Sequence, residues 1–156
     1  MKYLRYELSD QTLGPNGELY KEEWERQCNL YHKEFESISS RLPKLFLDEY
    51  RKKEFHDFMI ESLYLTRRCL KSGYKYDLEI KLLDYCDEKI HHYLYLIDVN
   101  SLKGNFDFMM AGNFDWIYAE ILSVDDHRLS LEVRLFDDSN LYLEFSKLRY
   151  RKVMDK

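Results

Sequence analysis

Residues 42–67 read LPKLFLDEYRKKEFHDFMIESLYLTR, and within them the spacing of the apolar side chains changes. Leu42, Leu45, Phe46, Tyr50 and Phe55 fall on one stripe of a helix. Pro43 can open that helix, because its missing N–H has no partner in a first helical turn anyway. From Phe58 to Arg67 the run is apolar on both faces of an extended chain, which predicts a central strand. The passage from a helical half to a sheet half therefore falls at Phe55-His56-Asp57. No linker-like composition marks it, so residues 1–156 are expected to form one domain, helical over about 18–55 and sheet over about 57–150.

Upstream, Tyr20, Trp24, Cys28, Tyr31, Phe35, Ile38 and Leu42 recur at steps of four and three, with Lys21, Glu22, Glu25, Arg26, Lys33 and Glu36 off the stripe. That pattern predicts a long amphipathic helix. Lys2 to Leu8 alternates aromatics with charges, as an edge strand or an arm would, and Gly14-Pro15-Asn16-Gly17 predicts a turn. Downstream of residue 67, Lys71-Ser72-Gly73 supplies a turn into a second strand. There Tyr76, Leu78, Ile80 and Leu82 alternate with Asp77, Glu79 and Lys81, which predicts a hairpin. Further strands are expected at Ile90 to Val99, Trp116 to Ser123, Leu129 to Phe136 and Leu141 to Phe145, with Asn100 to Asn113 as a longer connection. The fold class that follows is α+β: two N-terminal amphipathic helices on one face of a mostly antiparallel meander of about six strands.

Composition narrows the function classes. With 45% hydrophobic and 34% charged residues the chain can build a core and is expected to fold throughout. The net charge of −5 disfavours nucleic acid as a partner and favours a basic one. The sequence shows neither a signal-peptide run nor an apolar stretch long enough to span a bilayer, so a cytoplasmic protein without a membrane partner is expected. Cys28, Cys69 and Cys86 are odd in number and widely spaced, which suggests reduced thiols and no zinc ribbon. Tyrosine, present 14 times, suits both half-buried sheet positions and interfaces.

Three groupings could carry chemistry. His56-Asp57 puts an imidazole beside a carboxylate that can set its tautomer; capping of the helix–strand junction is the simpler use. In Asp115-Trp116-Ile117-Tyr118-Ala119-Glu120, strict alternation places Trp116, Tyr118 and Glu120 on one sheet face. Glu61 is a second carboxylate amid Met59, Leu63 and Leu65. If Glu61 and Glu120 met in a crevice, desolvation and mutual repulsion would tune one as a general acid. The plainer reading has them reach solvent or pair with Arg67, Arg68 or Arg134. Asp84, Cys86, His91 and His92 fail as a metal set, since adjacent strand residues point to opposite faces, so neither metal nor cofactor is expected. His32 and His127 read as surface residues. No phosphate loop, nucleophile elbow or dinucleotide-binding glycine run occurs. The basic terminal run Lys147 to Lys152 reads as a solvated edge.

Taken in order, the aromatic first helix, Leu42-Pro43, Phe55-His56-Asp57 and Trp116-x-Tyr118-x-Glu120 before closing hairpins resemble a family of small bacterial proteins of unknown function. The resemblance implies a bacterial cytosolic α+β protein with no assigned activity. Abundant tyrosine, acidic balance and missing catalytic motifs favour a non-catalytic protein-interaction module, one version being an immunity-type binder that occludes a basic partner. The alternative is a hydrolase or small-ligand binder using His56, Asp57, Glu61, Trp116, Tyr118 and Glu120 in one pocket. An exposed edge strand would leave room for a homodimer.

Overall fold

The computed structural model describes residues 1–12, 17–84, 86–105, 114–136 and 139–155. Helices α1 (Tyr6–Gln11), α2 (Gly17–Ile38) and α3 (Lys44–Lys53) precede eight strands. These are β1 (Phe58–Leu70), β2 (Gly73–Asp84), β3 (Asp87–Ile97), β4 (Ser101–Asn105), β5 (Asp115–Ser123), β6 (Leu129–Leu135), β7 (Asn140–Phe145) and β8 (Lys147–Met154). The α+β class and the antiparallel pairing agree with the sequence pattern. Most of the predicted turn at Gly14-Pro15-Asn16-Gly17 lies outside the described residues.

Two expectations change. The sheet has eight strands in the order β4-β7-β6-β5-β1-β2-β3-β8, so it is not a simple meander. The strands missed are the two edges. Ser101–Asn105 pairs with β7 and was hidden in a segment with glycine and little apolar alternation, while the basic run Lys147–Met154 pairs along its length with β3. Edge strands bury little, so their sequences carry a weak period-two signal.

The helices also do more than lie on one face. Among the described residues β1 pairs with β5 at Phe58↔Trp116 and Met59↔Asp115, and the Ile60 N–H donates to the Phe114 carbonyl at 2.9 Å, while in the other direction β5 runs on past the start of β1. Beyond that point the edge of β5 is bonded by helix side chains. The Ile121 N–H donates to the Tyr31 hydroxyl at 3.1 Å, and the Tyr50 hydroxyl donates to the Ala119 carbonyl at 2.8 Å. The two hydroxyls also bond each other at 2.8 Å. Buried backbone groups left without partners would each cost about 1–3 kcal/mol, so these tyrosines make the split in the sheet tolerable. α2 and α3 thus seal a gap between two half-sheets whose inward residues join one core.

Phe55 is the hub of that core. Its ring lies 5.2–6.2 Å, centroid to centroid, from Phe46, Tyr50, Phe58, His92, Trp116 and Tyr150. It holds this place in the left-handed backbone region, φ 58°, between Glu54 at 51° and Asp57 at 65°. Left-handed geometry costs a non-glycine residue roughly 1–2 kcal/mol, which complete burial of a phenyl ring, at about 1.5–3 kcal/mol plus packing, offsets. On α3 the buried positions are Phe46, Leu47 and Tyr50, while Leu45, expected inside, is half exposed. The side of α3 that meets the sheet centres on the Phe46–Tyr50 pair, and Leu45 is rotated off it by a residue.

Candidate functional site

The six residues singled out from sequence do not converge. A register shift between Trp116 and Tyr118 is the reason. Trp116 pairs with Leu135 and Tyr118 with Arg134, neighbours that point to opposite faces of β6. Trp116 therefore shares the buried face of Ala119 and Ile121, whereas Tyr118 and Glu120 lie on the other, which corrects the strict alternation expected there.

His56, Asp57 and Tyr118 do meet. The His56 Nδ1 lies 2.9 Å from Asp57 Oδ1, and the imidazole edge sits against the Tyr118 ring at 5.7 Å. Tyr118 in turn packs on Trp24 at 5.4 Å and shares a hydrogen bond with Ser9 Oγ at 3.0 Å. The Asp57 N–H donates to the Trp116 carbonyl at 3.1 Å, which ties the junction to β5, while the helix itself is capped by Glu54, whose N–H bonds the Tyr50 carbonyl.

Glu120 is fully buried and committed to the N-terminal segment. Its carboxylate accepts the N–H of Lys2 at 2.7 Å, of Tyr3 at 2.6 Å, and of Leu4. Burying a carboxylate costs several kcal/mol, and three charge-assisted bonds to rigid amides offset that cost. Glu61 sits at a β-bulge, where it pairs with Lys81 at 2.7 Å and His91 Nδ1 at 3.2 Å. Neither carboxylate uses the arginines anticipated for it. His91 faces outward to Glu61 and Asp155, and buried His92 bonds Tyr150 through Nδ1, so the two histidines act on opposite faces as expected. A cavity of about 270 Å³ beside the N-terminal arm is lined by Met1, Leu4, Arg5, Glu132, Arg134 and their neighbours, and by none of the six. Among the described residues no group of three metal-ligating side chains is gathered.

The feature that sequence reasoning missed is the outer half of the β1–β2 hairpin. The register Leu65↔Leu78 and Leu63↔Ile80 continues to Arg67↔Tyr76 and Cys69↔Tyr74, so Leu63, Leu65, Tyr74 and Tyr76 lie on the same sheet face as buried Leu78, Ile80 and Leu82. Yet Leu63 is 40% exposed, Leu65 48%, Tyr74 62% and Tyr76 41%. On the opposite face Tyr64 is 66% exposed. The signal was present in the run Phe58 to Arg67, apolar on both faces, and was read as full burial.

Ion pairs tie the outer ribbon to the end of β3. Asp98 takes Lys75 and Arg68, and Arg68 also pairs with Asp77 at 2.5 Å. Gly73, at φ 128°, makes the tight turn at the tip. The outward face nearer β8 carries Tyr93 stacked on Tyr95 at 6.3 Å, with Arg151 over the Tyr93 ring at 4.5 Å and Lys81 at 5.8 Å.

No family model, curated protein or solved structure matches the chain. The motif resemblance to a small bacterial family accordingly carries no argument about this site. Among the described residues no helix is long and apolar enough to cross a membrane.

Proposed function

We propose that this chain is a protein-interaction module without catalytic chemistry of its own, and that its contact surface is the outer β1–β2 ribbon. The observation that carries the reading is the run of Leu63, Leu65, Tyr74 and Tyr76, an extension of the core face of the sheet that the helices leave in contact with solvent. Contiguous exposed apolar surface of this kind marks sites where another surface docks, because water contact costs about 25 cal/mol for each Å² left uncovered.

The net charge of −5 supports a basic partner for the molecule as a whole. At the ribbon itself the balance differs: Arg67, Arg68, Lys71 and Lys75 stand against Glu61, Asp77 and Asp98, and most of these charges are already paired. Recognition there is apolar, and it should depend only weakly on salt. The hydrolase alternative requires His56, Asp57, Glu61, Trp116, Tyr118 and Glu120 around one bound group, an arrangement for which the geometry offers no support beyond the His56, Asp57 and Tyr118 contact. Cross-linking of the purified protein in its native extract tests the interaction reading. A partner retained by the wild-type chain and lost with Leu65→Lys is the expected result; an unchanged set of cross-links would remove the ribbon from consideration.

A further inference from the structure

The sheet face turned away from the helices holds a second surface, on the opposite side from Leu63, Leu65, Tyr74 and Tyr76. We propose that Tyr93 and Tyr95, with the outward cations of β8, Lys147, Arg149 and Arg151, form a platform that binds single-stranded nucleic acid.

β3 and β8 stay in register from Ile90↔Met154 to Ile97↔Lys147, which sets Tyr93 opposite Arg151 and Tyr95 opposite Arg149. Alternation puts these side chains and Lys147 on one face, because Leu94, Leu96 and Leu148 point into the core. The three cations are exposed and recur at every second residue, a repeat of about 6.6–6.8 Å along the strand. Neighbouring cations are already paired: Lys81 with Glu61, Arg68 and Lys75 with Asp98, and Lys152 with Glu49. Among the described residues no ion pair takes Lys147, Arg149 or Arg151. The acids of this face stand on β2 and are engaged, Asp77 by Arg68 and Glu79 by the Tyr95 hydroxyl. Unopposed positive charge therefore runs along β8. Lys147 and Arg149 also line a groove of about 450 Å³ against Ser40, Arg41 and Pro43, where the Arg41 guanidinium donates to the Ser123 hydroxyl and the Asp125 carbonyl.

The net charge of −5 is an average, and a polyanion meets the local field of the face it approaches. α2 carries six glutamates against Lys21, Arg26 and Lys33, whereas β8 carries four cations and no carboxylate. Charge alone suits any polyanion; the tyrosines choose among them. The Tyr93 and Tyr95 rings are half-buried, 6.3 Å apart and 12° from parallel, and the Arg151 guanidinium lies over Tyr93 at 4.5 Å. Rings standing on a sheet beside arginines are stacking partners for unpaired bases, which present a π-face whatever their sequence, while the cations of the next strand take the phosphates. An acidic peptide offers those rings no planar base, and a duplex keeps its bases stacked on one another.

Fluorescence anisotropy on the full chain, with labelled strands of about twelve thymidine or uridine nucleotides, tests this, and the tighter of the two probes identifies the sugar. Binding is expected to saturate and to be tighter for the single strand than for the duplex of the same sequence or for polyglutamate. Charge alone would give the reverse order for the duplex, whose charge is denser. Three phosphate contacts predict a slope of about −2 in log K against log salt, a loss of roughly twenty-fold between about 50 and 200 mM. Arg149→Glu and Arg151→Glu should each weaken binding and flatten that slope. Tyr93→Ala and Tyr95→Ala should weaken it about five-fold or more with the slope unchanged. Lys33→Glu, the same charge change on exposed α2 surface, should leave it as in wild type. Circular dichroism checks that each variant is folded. Should a tyrosine variant unfold, ultraviolet cross-linking of the bound strand to the wild-type chain reads the contact directly, with the adduct expected on Tyr93 or Tyr95. A wild-type chain that binds no single strand overturns the proposal, as do duplex or polyglutamate bound as tightly, folded tyrosine variants that bind like wild type, or adducts only outside this face. Leu65→Lys lies on the opposite face and should leave nucleic-acid binding intact, so this surface and the ribbon stand or fall separately.

Discussion

The root and the outer half of the β1–β2 hairpin are built from the same two strands, in one unbroken ladder after the bulge, with apolar residues on the same face. At the root Leu78, Ile80 and Leu82 are buried in the core that also holds Phe55; a few residues outward Leu63, Leu65, Tyr74 and Tyr76 stand in water. Alternation states which side chains share a face. What lies over that face depends on how far α2 and α3 reach along it.

The widest gap in stability is expected between a root and a ribbon substitution. Ile80→Ala should cost roughly 2–5 kcal/mol through lost burial and the cavity left behind, while Leu65→Ala should fall within about 0.5 kcal/mol, read as urea midpoints on dilute protein. Equal losses would mean the ribbon is covered in solution. Next comes the cover itself. Glu120→Ala removes the acceptor for three backbone amides and should cost about 2–3 kcal/mol, with faster hydrogen exchange at Lys2, Tyr3 and Leu4. Unchanged exchange there would show that the arm is held by other contacts.

Tyr31→Phe leaves the Ile121 N–H without its acceptor, an effect of about 1–2 kcal/mol at neutral pH. It also carries a pH signature. Burial raises the Tyr31 and Tyr50 hydroxyls above their ordinary value of 10.0. The unfolded chain therefore loses these protons first, so the stabilisation is whole below about pH 10 and declines as pH rises beyond it. Thermal melts of Tyr31→Phe should show a shallower alkaline decline than wild type; an identical decline would assign it to other groups. The smallest effect is expected at the junction that positions Phe55. Glu54 caps α3 at φ 51°, and Glu54→Gly should gain up to about 1 kcal/mol by relieving left-handed strain, less whatever its 3.1 Å contact with exposed His32 contributes. A loss would mean that this contact outweighs the strain.

Much of the fold was legible. The stripe from Tyr31 to Leu42 is buried as its spacing indicates, and the change of period at Phe55-His56-Asp57 is the helix-to-strand junction. The candidate site was less so. Trp116, Tyr118 and Glu120 follow a two-residue period on paper, but one extra residue in the ladder sends Trp116 to one face and leaves Tyr118 and Glu120 on the other, under the N-terminal segment. A bulge is a property of the pair of strands, and no composition in β5 announces it. Glu120 looked like a reactive carboxylate because its partners, the amides of Lys2, Tyr3 and Leu4, are more than a hundred residues away and belong to the backbone, which every sequence has.

By itself the sequence determined the two longer helices, the six inner strands and most of the apolar side chains able to share a face, because these follow from local geometry with periods of 3.6 and two. Only the tertiary structure decided that β5 runs past the start of β1, that Tyr31 and Tyr50 bond its edge there, and that Leu63, Leu65, Tyr74 and Tyr76 stand exposed. Those outcomes depend on which distant surfaces meet, and local periodicity holds no record of that.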